Sequence, residues 1–246
     1  MELIVFDLET TGVDRKNDQI IQFSALKIDT TENKILKTYD TYVQPIGAYS
    51  ISIGAYYKHK ITPEFLSDKP YLHEIAQDIV DFFKGCDNIL TYNGNGFDIP
   101  FLKTELNKYG YDIDFVSKNC YDAFLEERRR NGISLENTYK RYAGRTMEEA
   151  GLVAHNALSD IKGTYSVFVA QQRIESYGPE HMYGEDGVIQ DMLFNDETQP
   201  CFAIGKYRGV SVKLVSTFDQ SYLNWCVGPK SNFLESTKEY IRKYIK

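Results

Sequence analysis

The stretch Leu3-Ile4-Val5-Phe6-Asp7-Leu8-Glu9 constrains this chain more than any other. Leu3–Phe6 is continuously apolar and β-prone, the pattern of a strand buried on both faces. Asp7 and Glu9 then interrupt it. Side chains two apart in a strand leave the same side, so both carboxylates share one face. Thr10-Thr11-Gly12 closes the strand in a turn. Neighbouring carboxylates repel each other and lose solvation, so a buried strand does not carry them for stability. A bound divalent cation removes that conflict, and aligned acidic oxygens suit Mg²⁺ or Mn²⁺. The plainer alternative is a pair of solvated acids at a frayed strand end. Further ligands must come from elsewhere in the chain.

At 246 residues, 42% hydrophobic and 26% charged, the chain can bury a full core, with one main domain and a small appendage expected. No apolar run approaches the length of a bilayer span. The N-terminal stretch has no basic region and carries acids inside its apolar run, unlike a signal peptide. Cys86, Cys120, Cys201 and Cys226 have no zinc-type or paired spacing and read as reduced thiols of a cytoplasmic protein. The net charge of -7 argues at first against a nucleic-acid partner. Residues 199–246, however, hold eight Lys/Arg against three acids, +5, which leaves -12 on the remainder. An acidic body with a basic end fits metal binding in one part and phosphate contact in the other, although a charged helix face for solubility has the same signature.

Ile20–Ile28 and Ile35–Val43 read as two strands about the polar turn Thr30–Asn33, forming an antiparallel meander with the first. Ser50–Thr62, with Tyr56, Tyr57, Lys58, His59 and Lys60, reads as irregular. Asp68–Gly85 has the helical stripe Leu72, Ile75, Ile79, Phe82 and Phe83. Asn88–Thr91 is a short strand, and Tyr92-Asn93-Gly94-Asn95-Gly96-Phe97-Asp98 leads into a helix over Ile99–Tyr109, where Asp98 could serve as an N-cap. Arg128–Arg130 reads as a solvated face or a phosphate contact, before a helix around Leu135–Tyr142. His155-Asn156-Ala157-Leu158-Ser159-Asp160 opens a helix reaching Arg173. Strand meander, then strand, helix and helix, implies an α/β architecture with a mixed sheet. Residues 174–198 read as a linker. Cys201–Ile204 and Gly209–Val212 suggest a small hairpin with Tyr207-Arg208 at its tip. Asp219 caps a helix in which Trp225 is expected in the core, and Asn232–Ile245 forms a last amphipathic helix.

The ordered set Asp7-x-Glu9, Asp98 and His155-x4-Asp160 resembles the DEDDh branch of the DnaQ-like 3′–5′ exonuclease superfamily. The resemblance covers Phe-Asp-Leu-Glu-Thr-Thr-Gly at 6–12, Asn93-x3-Phe97-Asp98, and the His-Asn-Ala-x2-Asp box at 155–160. Phe202-x2-Gly205-Lys206-Tyr207-Arg208-Gly209 with Tyr222-Leu223-x-Trp225 is similar to the C-terminal segment of bacterial exodeoxyribonuclease X. One departure is Tyr92, where many relatives have His. The implied organisation is a ribonuclease H-like exonuclease domain over 1–173, a linker over 174–198 and an exodeoxyribonuclease X-like α+β module over 199–246.

The resemblance implies hydrolysis of DNA from its 3′ end, releasing mononucleotides with two Mg²⁺ or Mn²⁺ ions about 4 Å apart. Asp7 would bridge both ions, Glu9 and Asp160 would complete the first site, and Asp98 would serve the second through water. His155 would take the proton of the attacking water. Leu8, Thr10, Thr11, His59, Asn93 and Phe97 would hold the terminal nucleotide by hydrogen bonding and stacking. RNA is the alternative substrate, as in the ribonuclease T and oligoribonuclease relatives, and a non-catalytic nucleic-acid or clamp-binding module is a third reading. The basic C-terminal module would grip the nucleic acid or cap the main domain. Gln190-x2-Leu193-Phe194 is similar to the motif by which bacterial replication proteins dock into a sliding clamp, although packing of Val188–Phe194 as one helical turn is the preferred reading.

Overall fold

The computed structural model describes residues 1–128, 134–176, 193–196, 199–202, 206–207, 210–231, 233 and 235–246. They divide into two compact units, Met1–Glu126 with Gly151–Tyr165, and Glu127–Ala150 with Ser166–Lys246. No helix among the described residues is long and apolar enough to cross a membrane.

Five strands form the sheet of the first unit: β1 (Glu2–Thr10), β2 (Ile20–Asp29), β3 (Lys34–Tyr42), β4 (Asn88–Thr91) and β5 (Asn119–Asp122). Their order is β3-β2-β1-β4-β5. The first three make the expected antiparallel meander, whereas β4 runs parallel to β1 and β5 parallel to β4. The sheet is therefore mixed. Its helices are α1 (Ile53–His59), α2 (Pro63–Leu66), α3 (Leu72–Phe83) and α4 (Asp98–Asn107); α5 (Ala123–Arg128) and α7 (Ala157–Ser176) cross between the first unit and the second, and α6 (Leu135–Ala143) belongs to the second.

Alternation along β1 sets the layers. Ile4, Phe6 and Leu8 face one side and share a core with Ile79, Phe82 and Phe83 of α3 and with Phe101 and Leu102 of α4. The stripe read from α3 is buried throughout. Phe6 meets Phe83 edge-on at 5.3 Å and packs beside Phe115 at 6.1 Å. Truncating so enclosed a ring costs about 3–5 kcal/mol. The opposite side of β1 begins with buried Leu3 and Val5 and ends with Asp7 and Glu9.

Register creates an opening at the far end. β4 pairs with β1 only through Ile4–Ile89 and Val5–Leu90, and it stops at Thr91, while β1 continues to Thr10. Along this edge the later residues of β1 have no strand beside them, and main-chain donors there need other acceptors.

Ser50–Thr62 is not irregular. It contains α1, whose N-cap Ser52 accepts from the Ala55 N–H at 3.2 Å, and then Thr62, which caps α2. The helix was hidden because it buries none of its residues, so no inward apolar stripe marks it.

In the second unit β6 (Leu193–Asp196) pairs antiparallel with β7 (Gln199–Phe202), and α8 (Val212–Phe218), α9 (Gln220–Val227) and α10 (Glu235–Arg242) follow. Part of the expected hairpin is present: Cys201 bridges Ser211 antiparallel, and the Phe202 N–H donates to the Val210 carbonyl at 3.0 Å. β7 also takes β6 as a partner, and Val212, read as the end of the second arm, already starts a helix. β6 also falls inside the stretch read as a linker. Tyr207 is no exposed tip: it is buried, and its hydroxyl donates to Asp219 Oδ2 at 2.6 Å. Asp219 does cap α9, accepting the Tyr222 N–H at 3.0 Å. Trp225, expected in the core, is 54% exposed and stacks on Tyr222 instead. Arg129, Arg130, Arg208 and residues 190–192 of the clamp-like motif lie outside the described residues.

Candidate active site

Asp7 and Glu9 sit within β1, not on a frayed end, and their side chains project from the same face. Asp160 joins them from the first turn of α7. A carboxylate oxygen from each of Asp7, Glu9 and Asp160 can be chosen so that all three lie within 4.8 Å of one another. That separation and all-oxygen chemistry fit a hard divalent cation.

The start of α7 explains how Asp160 reaches this point. Asn156 accepts the Ser159 N–H at 3.1 Å and caps α7 at Ala157, within the stretch expected to open it. His155, immediately before the cap, takes a left-handed conformation with φ 59°. Its N–H donates to Asp160 Oδ2 at 3.1 Å, tying the backbone of the exposed histidine to one of the clustered carboxylates.

Asp98 approaches across the open edge of β1. Phe97 occupies the N-cap position of α4, so Asp98 is not the cap. Its Oδ1 accepts the buried N–H of Leu8 at 3.1 Å, filling the place that β4 leaves empty. Gly94 in the preceding loop permits this course, because a Cβ there would come within 2.4 Å of the Thr91 Cβ. Asp122, at the end of β5, accepts the N–H groups of Asn93 at 2.7 Å and Asn95 at 3.1 Å. Sequence reasoning assigned Asp122 no role. The available signal was an acid at the carboxyl end of a parallel strand beside β4.

The four acids strain against one another. Burial foremost, and then the charges of Asp98, Glu9 and Asp160, hold the Asp7 carboxyl well above the usual carboxylate range. Burial, with Asp160 and Asp98, pushes Glu9 up to about 8, and Lys58 partly opposes this. Burial raises Asp98 to about 7 against the hydrogen bond from Leu8. In the metal-free protein burial and mutual repulsion favour the protonated forms of Asp7 and Glu9 at neutral pH and hold Asp98 near its midpoint, whereas a divalent cation favours the ionised forms. Buried like charges that pairing among themselves cannot relieve are what a metal site requires, so the donor set fits one.

The remaining candidates are placed unevenly. His59 accepts the Ile61 N–H through Nδ1 at 2.9 Å, which leaves its proton on Nε2. Nε2 is buried beside the Thr10 main chain, short of well-formed hydrogen-bond geometry, and burial together with the nearby His155 holds the ring below the usual imidazole range. Phe97 is half-buried and packs on Phe101 at 5.3 Å. Thr10 and Thr11 spend their hydroxyls in the turn, donating to the Gly12 carbonyl at 2.6 Å and to Asp18 at 2.8 Å. Asn93 is exposed with φ 66°. Sequence reasoning also missed Gln22 and Ser24, buried and directly opposite Glu9 and Asp7, whose donors go to Asp40 at 3.0 and 2.5 Å.

A mixed five-stranded sheet with clustered acids at the carboxyl end of its central strand defines an α/β protein with a candidate divalent-cation site. Residues 4–168 match the exonuclease family RNase_T, and the chain belongs to that family. The DnaQ-like resemblance is thereby upheld. The chain is 36% identical over 174 residues to the DNA polymerase III subunit epsilon of Rickettsia felis, covering 68% of this chain and 72% of the relative. It is 26% identical to a PolC-type DNA polymerase III of Caldanaerobacter subterraneus, covering 82% of this chain but 14% of that much longer protein. Among solved structures, E. coli exonuclease I in complex with a dT13 oligonucleotide superposes with a TM-score of 0.54 at 22% identity, over 72% of this chain and 43% of that one. That likeness establishes the ribonuclease H-like exonuclease fold.

Proposed function

We propose that this protein is a divalent-metal-dependent 3′–5′ exonuclease that hydrolyses DNA from its 3′ end and releases nucleoside 5′-monophosphates. The observation that carries the reading is the convergence of Asp7, Glu9 and Asp160 within 4.8 Å, in a chain of the exonuclease family. The epsilon subunits and the DNA-bound exonuclease I among its relatives favour DNA.

Asp7, Glu9 and Asp160 are the residues that would hold one cation, with Asp7 and Asp98 facing a second. Two Mg²⁺ or Mn²⁺ ions held there would supply positive charge to activate water and to offset charge on the phosphoryl and leaving oxygens. The protein's own groups do the rest. His155, exposed on its turn and tied to Asp160 through the main chain, accepts the proton as the water oxygen attacks phosphorus. The bond from phosphorus to O3′ breaks, O3′ of the preceding nucleotide leaves and takes up a proton, and a nucleoside 5′-monophosphate departs. His59, Phe97 and the Leu8–Thr10 main chain enclose the terminal nucleoside.

The test is a gel assay on 3′- and 5′-labelled single strands of DNA and RNA with Mg²⁺, Mn²⁺ or EDTA. The expected result is a DNA ladder shortening from the 3′ end, metal-dependent and abolished by Asp7→Ala and His155→Ala. Faster loss of RNA would reassign the substrate. DNA binding without cleavage would overturn the catalytic reading.

A further inference from the structure

α1 is built the wrong way round for a helix of a globular body. Its seven residues bury no side chain. Only Ala55 and His59, one turn apart, are even half-buried. The outward stripe is instead Ile53, Tyr56, Tyr57 and Lys60, at the i, i+3, i+4, i+7 spacing that normally marks a core-facing side. Ile53 is 77% and Tyr57 70% exposed. The Lys60 ammonium lies 5.4 Å from the Tyr56 ring centre and 4.7 Å from that of Tyr57. Large exposed aromatic and aliphatic groups gathered with a cation mark a binding surface.

The position of the helix says what would bind. Its N-cap Ser52 donates its N–H to the Thr11 carbonyl at 2.8 Å, fixing α1 to the turn that follows the acidic strand. At the other end His59 lies beside Thr10 and His155, and the charge of Lys58 is felt at Glu9. The helix that carries the outward stripe is thus anchored beside the acid cluster, which His59 and Lys58 approach from its other sides. In an acidic chain of net charge -7, lysines at this one rim of four carboxylates suit a polyanion entering the site.

We infer that the outward face of α1 is a stacking platform for single-stranded DNA immediately behind the 3′-terminal nucleotide, with Tyr56 and Tyr57 meeting bases and Lys58 and Lys60 meeting phosphates. The inference rests on the exonuclease reading for its polarity. Seven residues of helix span about 10 Å, the length of about three stacked nucleotides at about 3.4 Å each. Stacking is tolerant of base identity, as an enzyme degrading any sequence requires.

The test uses the full chain, Ca²⁺ in place of Mg²⁺, and fluorescence anisotropy with 5′-labelled oligo(dT) of two, four and six nucleotides. Tyr56→Ala/Tyr57→Ala should weaken binding of the hexamer about tenfold or more, with a smaller effect on the dimer. Tyr57→Trp should retain affinity, and Lys60→Ala should lower the log–log salt slope by about 0.7. In Mg²⁺ the loss should fall on KM rather than kcat. Melting curves check the fold, and the Trp and Lys variants decide the matter if the double variant is unstable. Wild-type affinities within twofold in all variants would overturn the platform. A wild-type protein that binds DNA through these residues but does not cleave it would overturn the exonuclease reading and leave the platform standing. Failure to bind or cleave would overturn both.

Discussion

At the scale of single residues, the pairing of Asp7 and Glu9 was legible because a strand repeats every two residues and the apolar run before them fixed the strand. Their meeting with Asp160 followed only from the ordered motifs, since nothing in local spacing brings residue 160 over residue 7. Asp122, Gln22 and Ser24 were illegible for the same reason: their roles depend on which strands become neighbours. The raised carboxyl groups give a sharp expectation at Asp7. Asp7→Asn keeps the size of the side chain and removes a carboxyl that burial and its acidic neighbours hold well above the usual carboxylate range. Cleavage should fall by at least about a hundredfold. The metal-free variant should nevertheless melt a few degrees above wild type at neutral pH, because folding no longer has to protonate an acid that is ionised in the unfolded chain. Calorimetry in EDTA beside the gel assay checks both. A variant that is less stable as well as inactive would mean that Asp7 serves packing.

At the scale of elements, the long periodic pieces were read correctly. The α3 stripe and the β1–β2–β3 meander have enough repeats for periodicity to speak. Short pieces were not. α1 lacks an inward face, and the strand over Gln199–Phe202 has a second partner in β6, which carries no distinguishing pattern of its own. Trp225, expected in the core, finds in Tyr222 a ring to stack on at the surface. The loop between β4 and α4 makes an element-scale prediction. Gly94→Ala would drive a methyl within 2.4 Å of the Thr91 Cβ, and Thr91, 1% exposed, has nowhere to withdraw. The loop must shift, and Asp98 with it. Activity should drop at least about tenfold, since about 1 Å of misplacement at a reacting centre costs as much or more, with a melting temperature lowered by several degrees. Gly96→Ala is the control, because its methyl would meet only the Asn93 carbonyl at 3.8 Å. It should leave rate and melting temperature near wild type.

At the scale of the molecule, folding, protonation and metal binding are linked through the same acids. A group whose carboxyl is raised in the folded state binds protons more tightly there than when unfolded. Its contribution to stability is complete below the unfolded value and is lost as pH rises through the folded one. Glu9 at about 8 and Asp98 at about 7, with Asp7 also raised, place that loss between about pH 4.5 and 8. In EDTA the melting temperature should therefore fall across this interval, by several degrees. A divalent cation reverses the sign, because it binds the ionised acids of the folded chain and has no comparable site in the unfolded one. Saturating Mg²⁺ at about 100 times its dissociation constant adds about 2.7 kcal/mol, and the gain should grow with pH as the carboxylates ionise. Melting curves at pH 5, 6.5 and 8, with EDTA or Mg²⁺, should diverge towards high pH, and Asp7→Asn should shrink the gap. Parallel curves with and without metal would mean that the acids hold their protons for reasons unconnected with a cation. Divergence would make the instability of the metal-free acid cluster a measurable counterpart of its affinity for the ion.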